Sequence, residues 1–408
     1  MNLDVLETLV AASLVLLLGR KLVGTSKFLK TYSIPEPVVG GLLVAIALLV
    51  LQQFTHIQVK FDTSLQGPLM LAFFATIGLN ANIASLKAGG RKLILFLGVV
   101  VGLLLIQDVI GIGMAKMLGL DPLIGLLGGS ITLSGGHGTG AAWGRVFSER
   151  HGLTAATEIA IACATFGLIL GGLIGGPVAR FLIRKVQLPL PENPEDALTD
   201  DLSSDEIPLI FEQPKAVQLI TSQAFIEALA LIAVSLSVGT LISSLIIGTA
   251  FELPTFVCVL FVGVLLSNGL SFLVDYKIFE RVIVVLGDVS LSLFLAMALM
   301  SLKLLDLASL ALPVLLILTV QTVAMALYAV FVTFRAMGSN YDAAVLAAGH
   351  CGFGLGATPT AIANMQAITN RFGPSHLAFL IVPMVGAFFV DIANAIVIKL
   401  FLLLPIYN

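Results

Sequence analysis

Two stretches decide the fold: Thr132-Leu133-Ser134-Gly135-Gly136-His137-Gly138-Thr139-Gly140 and Ala348-Gly349-His350-Cys351-Gly352-Phe353-Gly354-Leu355-Gly356, followed by Ala357-Thr358-Pro359-Thr360. Each carries glycines at alternate positions inside an apolar region, and the two sit at matching places in the two halves of the chain. Glycine weakens a helix, and lipid cannot satisfy the backbone polar groups that an unwound helix exposes. Such a run at membrane depth is therefore buried in protein or lines a cavity.

The setting is a membrane. Of 408 residues 58% are hydrophobic and 11% charged, and the mean hydropathy is +1.07; a soluble domain carries roughly 25% charged residues. Net charge is −3 and the basic residues are scattered singly, which excludes a nucleic-acid partner. Cys163, Cys258 and Cys351 lack metal-ligand spacing and read as small apolar residues. The first apolar run carries Asp4 and Glu7 instead of a basic leader, so it is expected to be a spanning helix and not a cleaved signal.

Apolar runs of spanning length fall at Leu3–Leu18, Val38–Phe54, Pro68–Ala84, Leu93–Met117 and Thr157–Val178. A second set falls at Gln223–Ile247, Pro254–Leu270, Val282–Leu302, Leu310–Phe334 and Leu377–Leu404. Between them Val186–Pro214 holds eight acidic residues, no basic ones and five prolines, the composition of a solvated linker. The expected organisation is an N-terminal repeat over 1–185, an acidic cytoplasmic linker over 186–214 and a C-terminal repeat over 215–408.

The halves match in register. Leu6-Glu7-Thr8-Leu9 parallels Ile226-Glu227-Ala228-Leu229, Pro37 parallels Pro254, Ile83-Ala84-Ser85-Leu86 parallels Leu307-Ala308-Ser309-Leu310, and Gln107 parallels Gln321. Five crossings per repeat, an odd number, make the second repeat enter the membrane inverted. With the N-terminus outside, 15 of the 21 Lys and Arg residues are cytoplasmic; Lys60, Lys116, Arg145, Arg150, Lys303 and Lys399 are the remainder. That bias obeys the positive-inside rule. The fold class expected is an all-α polytopic membrane protein of two inverted five-helix repeats, each with one re-entrant helical hairpin.

The re-entrant segments are expected over about 121–147 and 342–371, dipping from opposite sides. Thr358 before Pro359 predicts an N-cap and a first helical residue. A helix from there to Asn370 runs roughly 18 Å, half the hydrocarbon thickness, which puts its start near the midplane. In the first copy Thr139 or Gly140 is the equivalent start. Free N–H groups at two such starts suit a carboxylate, while unwound carbonyls and nearby hydroxyls suit a hard monovalent cation.

The candidate substrate residues are Ser134, Gly135, Gly136, His137, Gly138, Thr139, Gly140, Gly354, Gly356, Thr358, Thr360 and Asp391. The candidate cation residues are Ser130, Thr132, Cys351, Gly352, Asp108 and Asn394. Asp108, Glu158, Asp288 and Asp391 are ionisable groups placed in or at spans, where charge is costly. His137 and His350 are read as ordering the tips by hydrogen bonds, and Trp143 as packing. A dinucleotide fingerprint matches Gly136–Ala141 and Gly352–Ala357 at low stringency, without a strand-helix-strand unit around either. No cofactor, nucleotide site or catalytic set is expected, and the chain reads as a transporter and not an enzyme. The residues leave a proton-coupled carboxylate transporter and an ion channel open beside a sodium-coupled one.

These glycine runs, together with Ile34-Pro35-Glu36-Pro37, the segment 72–82 and Pro383–Asp391, closely resemble the bacterial sodium/glutamate symporter family over nearly the whole chain except the linker. The resemblance implies sodium-driven uptake of L-glutamate across the bacterial inner membrane by a homodimer, with sodium as the coupling ion. It also implies re-entrant segments meeting at the substrate and an elevator-like displacement of a transport domain. Both termini are then periplasmic.

Overall fold

The protein is described by a computed structural model that covers residues 2–31, 34–55, 59–81, 90–184, 186, 221–249, 252–274, 279–301 and 310–406. The linker, apart from Val186, lies outside the described residues, as does Ile83–Leu86 with its match Leu307–Ser309.

Regular structure among the described residues is helical. The first half contains α1 (Val5–Thr25), α2 (Lys27–Thr31), α3 (Glu36–Thr55), α4 (Gln66–Asn80), α5 (Gly90–Met117), α6 (Pro122–Leu126), α7 (Gly136–His151) and α8 (Ala156–Ile183). The second contains α9 (Ser222–Ile246), α10 (Thr255–Val274), α11 (Glu280–Met300), α12 (Ala311–Tyr328), α13 (Tyr341–Gly354), α14 (Thr358–Phe372), α15 (His376–Met384) and α16 (Val390–Leu402). Wide π-type turns extend α6 over Leu127–Ile131, extend α12 over Ala329–Thr333, and join α15 to α16 over Val385–Phe389.

Every predicted span overlaps a described helix. By length and composition, seven described helices suffice to cross a membrane: α3, α5, α8, α9, α10, α11 and α12 with its extension. The other three predicted spans are α1, which carries Glu7, Arg20 and Lys21; α4, 15 residues long; and α15–α16, interrupted at Val385–Phe389.

Local chemistry starts these helices where the sequence demands. Asp4 and Glu7 form a reciprocal capping box on α1. Asp121 caps α6 through the Leu123 N–H, with Pro122 just inside, and Asn340 caps α13 through the Ala343 N–H. Each glycine-rich helix pair thus begins at an Asx cap.

The helices form two bundles. In one, α4 packs on α10 and α11, α3 on α1 and α11, and α9 on α10. In the other, α8 packs on α7, α13 and α14, while α5 packs on α6, α12 and α16. The seam between them is formed where α7 meets α11 and where Trp143 of α7 stands edge-on to Phe256 of α10, centroids 5.5 Å apart.

Glycine sets the spacing inside the second bundle. Gly167, Gly171 and Gly175 repeat every fourth residue and so share one face of α8. A Cβ on Gly171 would lie 3.0 Å from the Gly352 carbonyl oxygen and 3.1 Å from that of Cys351; one on Gly167 would run into the Leu355 carbonyl. Backbone therefore rests directly on backbone, as small residues allow in membrane helix packing.

Candidate functional site

The two glycine-rich tips meet. A Cβ on Gly136 would lie 3.5 Å from the Gly356 carbonyl oxygen, and Gly136 adopts a φ of +68°, a left-handed conformation natural to glycine. α7 starts there, at Gly136, three residues before Thr139 and four before Gly140, the two expected starts. Gly135 precedes it without a side-chain cap.

The second start also departs from expectation. α14 begins at Thr358, its N-cap is Ala357, and no side chain caps it. The Thr358 hydroxyl instead donates to the Gly386 carbonyl at 2.7 Å, tying the tip to the π-type turn between α15 and α16. Pro359 is thus the second helical residue and not the first, though still within the first turn. Two uncapped helix starts, each with free N–H groups, therefore adjoin.

Gln107 holds the tips together. Its Nε2 donates to the Gly354 carbonyl at 2.7 Å, and its Oε1 accepts the Ser134 hydroxyl, also at 2.7 Å. Gln321 donates in turn to the Gln107 carbonyl at 2.6 Å. All three side chains are buried. The sequence marked this glutamine pair by repeat position but did not assign it to the site; two amides inside apolar helices at matching places were the available signal.

Beside the tips, three candidate cation residues converge. Ser130 N–H donates to Asp108 Oδ1 at 2.8 Å, and the Ser130 hydroxyl lies 3.0 Å from Asp108 Oδ2 and 2.6 Å from Asn394 Oδ1. Asn394 Nδ2 donates to the Ser130 carbonyl at 2.9 Å, which fixes its amide orientation. Asp108, Ser130 and Asn394 are each 0% exposed. One hydroxyl proton thus serves two acceptors around a buried carboxylate, an arrangement short of positive charge. The approach depends on Gly129, whose backbone leaves helical geometry and where a Cβ would stand 2.7 Å from Asp108 Oδ1.

The remaining candidates divide. Thr139 lies within hydrogen-bonding reach of Asp391, a half-buried carboxylate. The Thr360 hydroxyl is buried with no hydrogen-bond partner among the described residues. Gly138 faces the seam, where a Cβ would sit 2.6 Å from the Phe73 ring and 3.1 Å from Leu291 Cδ1. Gly140 packs on Thr132 and Ala160. Thr132 donates to the Leu127 carbonyl, and the carbonyls of Cys351 and Gly352 lie against Gly171 of α8. His137 bonds the Thr165 hydroxyl at 3.0 Å and His350 that of Thr333 at 2.9 Å, each tying its hairpin to a neighbouring helix. Asp288 is exposed on α11, and Trp143 is packed in the core.

The sequence model for "Sodium/glutamate symporter" matches residues 1–374. This chain belongs to the sodium/glutamate symporter family. It is 69% identical over 406 residues to the sodium/glutamate symporter of Escherichia coli (strain K12), covering 100% of this chain and 99% of that one. The same identity and coverage hold for the protein of that name from Shigella flexneri. The Haemophilus influenzae sodium/glutamate symporter is 54% identical over 393 residues, with 96% of each chain covered. The family is one of transporters, in keeping with a membrane-type fold whose polar groups gather around two helix starts and not around a reacting nucleophile.

Proposed function

We propose that this chain carries L-glutamate into the cell together with sodium, by alternating access across the bacterial inner membrane. The observation that carries the reading is the meeting of two uncapped helix starts beside the buried Asp108–Ser130–Asn394 cluster. The helix starts at Gly136 and Thr358 offer N–H groups and partial positive charge to the substrate carboxylates. Thr360, and the Thr139–Asp391 pair, offer polar contacts to the rest of the amino acid, Asp391 facing its ammonium group.

Sodium is received at Asp108, Ser130 and Asn394, where hard oxygen ligands lack a counter-charge. The cluster and the tips are mechanically joined, because Gln107 neighbours Asp108 and binds Gly354. Ion binding thereby orders the tips for substrate, and the loaded bundle moves as its charges are neutralised. An empty or half-loaded site crosses poorly, which couples the gradient to uptake.

In this reading α6–α7 and α13–α14 are re-entrant hairpins of two inverted repeats. The recurrence of element order supports it: four helices of 15 residues or more, a glycine-broken pair, then a final helical segment, continuous as α8 in the first half and interrupted at Val385–Phe389 as α15–α16 in the second. The bundle of α5–α8 and α12–α16 moves against that of α1, α3, α4 and α9–α11 in a homodimer, with both termini periplasmic and the linker cytoplasmic.

Labelled glutamate uptake in proteoliposomes, driven first by a sodium gradient and then by a proton gradient alone, tests the proposal. Saturable uptake with the sodium gradient is expected. Uptake equal under the proton gradient, or flux that does not saturate, overturns it in favour of proton coupling or a channel.

A further inference from the structure

One hairpin ends on a charge contact with the other bundle. Arg150 Nη1 of α7 donates to Glu252 Oε1 at 2.7 Å, while Glu252 Oε2 receives the Gly248 N–H at 2.9 Å. Arg150 is the penultimate residue of α7, and Glu252 stands two residues before Pro254, which opens α10.

Exchanging the two halves of the chain finds the same charges at similar places, the arginine at the same position of its helix and the glutamate one residue nearer its proline. Arg371 is the penultimate residue of α14, and Glu36 directly precedes Pro37 at the opening of α3. Here, however, they are engaged elsewhere. Glu36 pairs with Arg20 at 3.3 Å, and Arg371 lies over the neighbouring Phe372 ring at 5.3 Å with no ion pair among the described residues. α14 itself packs on α8, α13 and α15 and leaves Pro359, Ala363, Gln366 and Asn370 exposed. The first hairpin is docked on the opposite bundle; the corresponding face of the second is open.

We propose that Glu36 and Arg371 form the counterpart of the Arg150–Glu252 ion pair in the opposite access state, so that one bridge is made as the other breaks. This rests on the alternating-access reading above. The charge distribution agrees with it, since Glu36 and Arg371 fall on the cytoplasmic side of the proposed topology and Arg150 and Glu252 on the periplasmic side. Both members of each existing pair are partly exposed, at 43% and 30% for Arg150 and Glu252. Exposed pairs shift an equilibrium by about two- to five-fold each. Two matched weak bridges bias both end states without trapping either, whereas a single bridge favours one. Arg20 keeps Glu36 paired in the state seen here.

The test uses the full chain in membranes with paired cysteines at 36 and 371, and separately at 150 and 252, joined by a short bis-thiol linker because an Arg–Glu pair separates α-carbons farther than a disulfide spans. Both pairs are expected to link and block uptake, with sodium and glutamate changing the two yields in opposite directions. Charge reversal adds a second readout: Glu36→Arg is expected to lower uptake about two- to five-fold, and adding Arg371→Glu to restore it. Linking at 150–252 without linking at 36–371, or a Glu36→Arg defect that Arg371→Glu leaves unrelieved, overturns the exchange while alternating access stands. Full linking at 150–252 with uptake undiminished removes the moving-bundle reading beneath it.

Discussion

Gln107 reaches across 247 residues of sequence to the Gly354 carbonyl, at 2.7 Å, in a buried setting. Its other amide atom takes the Ser134 hydroxyl, so one side chain on α5 spans both hairpin tips. Gln107→Leu preserves volume and removes both bonds, leaving the Ser134 hydroxyl and the Gly354 carbonyl only their own longer contact at 3.3 Å, a loss of about 1–3 kcal/mol. Glutamate uptake is expected to fall at least about ten-fold, with membrane abundance near wild type by immunoblot. Undiminished uptake sinks the bridging role.

The Asp108 cluster predicts a graded loss of sodium dependence. Asp108→Asn removes the charge and is expected to abolish sodium-stimulated uptake. Ser130→Ala keeps the carboxylate and Asn394 but deletes one oxygen, so the sodium concentration for half-maximal uptake is expected to rise about ten-fold, the effect of roughly 1.4 kcal/mol. Uptake measured against sodium concentration distinguishes these. Unaltered sodium curves in both variants exclude the cluster from coupling.

At the seam, Gly138→Val drives a branched side chain into Phe73 and Leu291; in the second tip Gly354→Val meets Leu103 and Met325. Overpacking of this kind costs about 1–3 kcal/mol. Both variants are expected to insert normally and to lose uptake, measured as initial rate against surface-labelled protein. Normal sodium-driven uptake by both removes the tips from the pathway.

Thr358 separates a cap from a tether. Its hydroxyl serves Gly386 and not its own helix, so Thr358→Ser is expected to retain uptake. Thr358→Val leaves the Gly386 carbonyl unpaired and is expected to raise the KM for glutamate several-fold, from a loss of about 1 kcal/mol. Equal kinetics for the two variants dismiss the tether.

The sequence made much of this legible because the bilayer leaves few alternatives. Apolar run lengths located the seven described helices long enough to cross a membrane, and the glycine runs located the two helix starts that adjoin, since broken backbone among apolar helices has few tolerable settings. Asp108, Ser130 and Asn394 were each suspect as polar groups inside apolar helices, and packing brought them into one cluster. Illegible were the relationships that only packing creates. Threonine before proline is a cap signal locally, but Thr358 finds Gly386 closer to hand. The left-handed φ of Gly136 goes with a start of α7 three or four residues ahead of the expected Thr139 or Gly140. Neither Gln107 and Gly354 nor His137 and Thr165 carry any mark in the local sequence that they are partners.

The stripe of Gly167, Gly171 and Gly175 constrains how the second helix pair can move. The carbonyls of Leu355, Gly352 and Ala348 lie against that stripe, and Asn364 Nδ2 pins Gly171 and Ala348 from the returning helix. Such a hairpin has no freedom to swing out like a flap, because any opening strips main chain from main chain along three turns of α8. Under the alternating-access proposal, substrate is then exposed or hidden by carriage of the whole assembly past its neighbour, with the helix pair travelling as a fixed wall and not as a door.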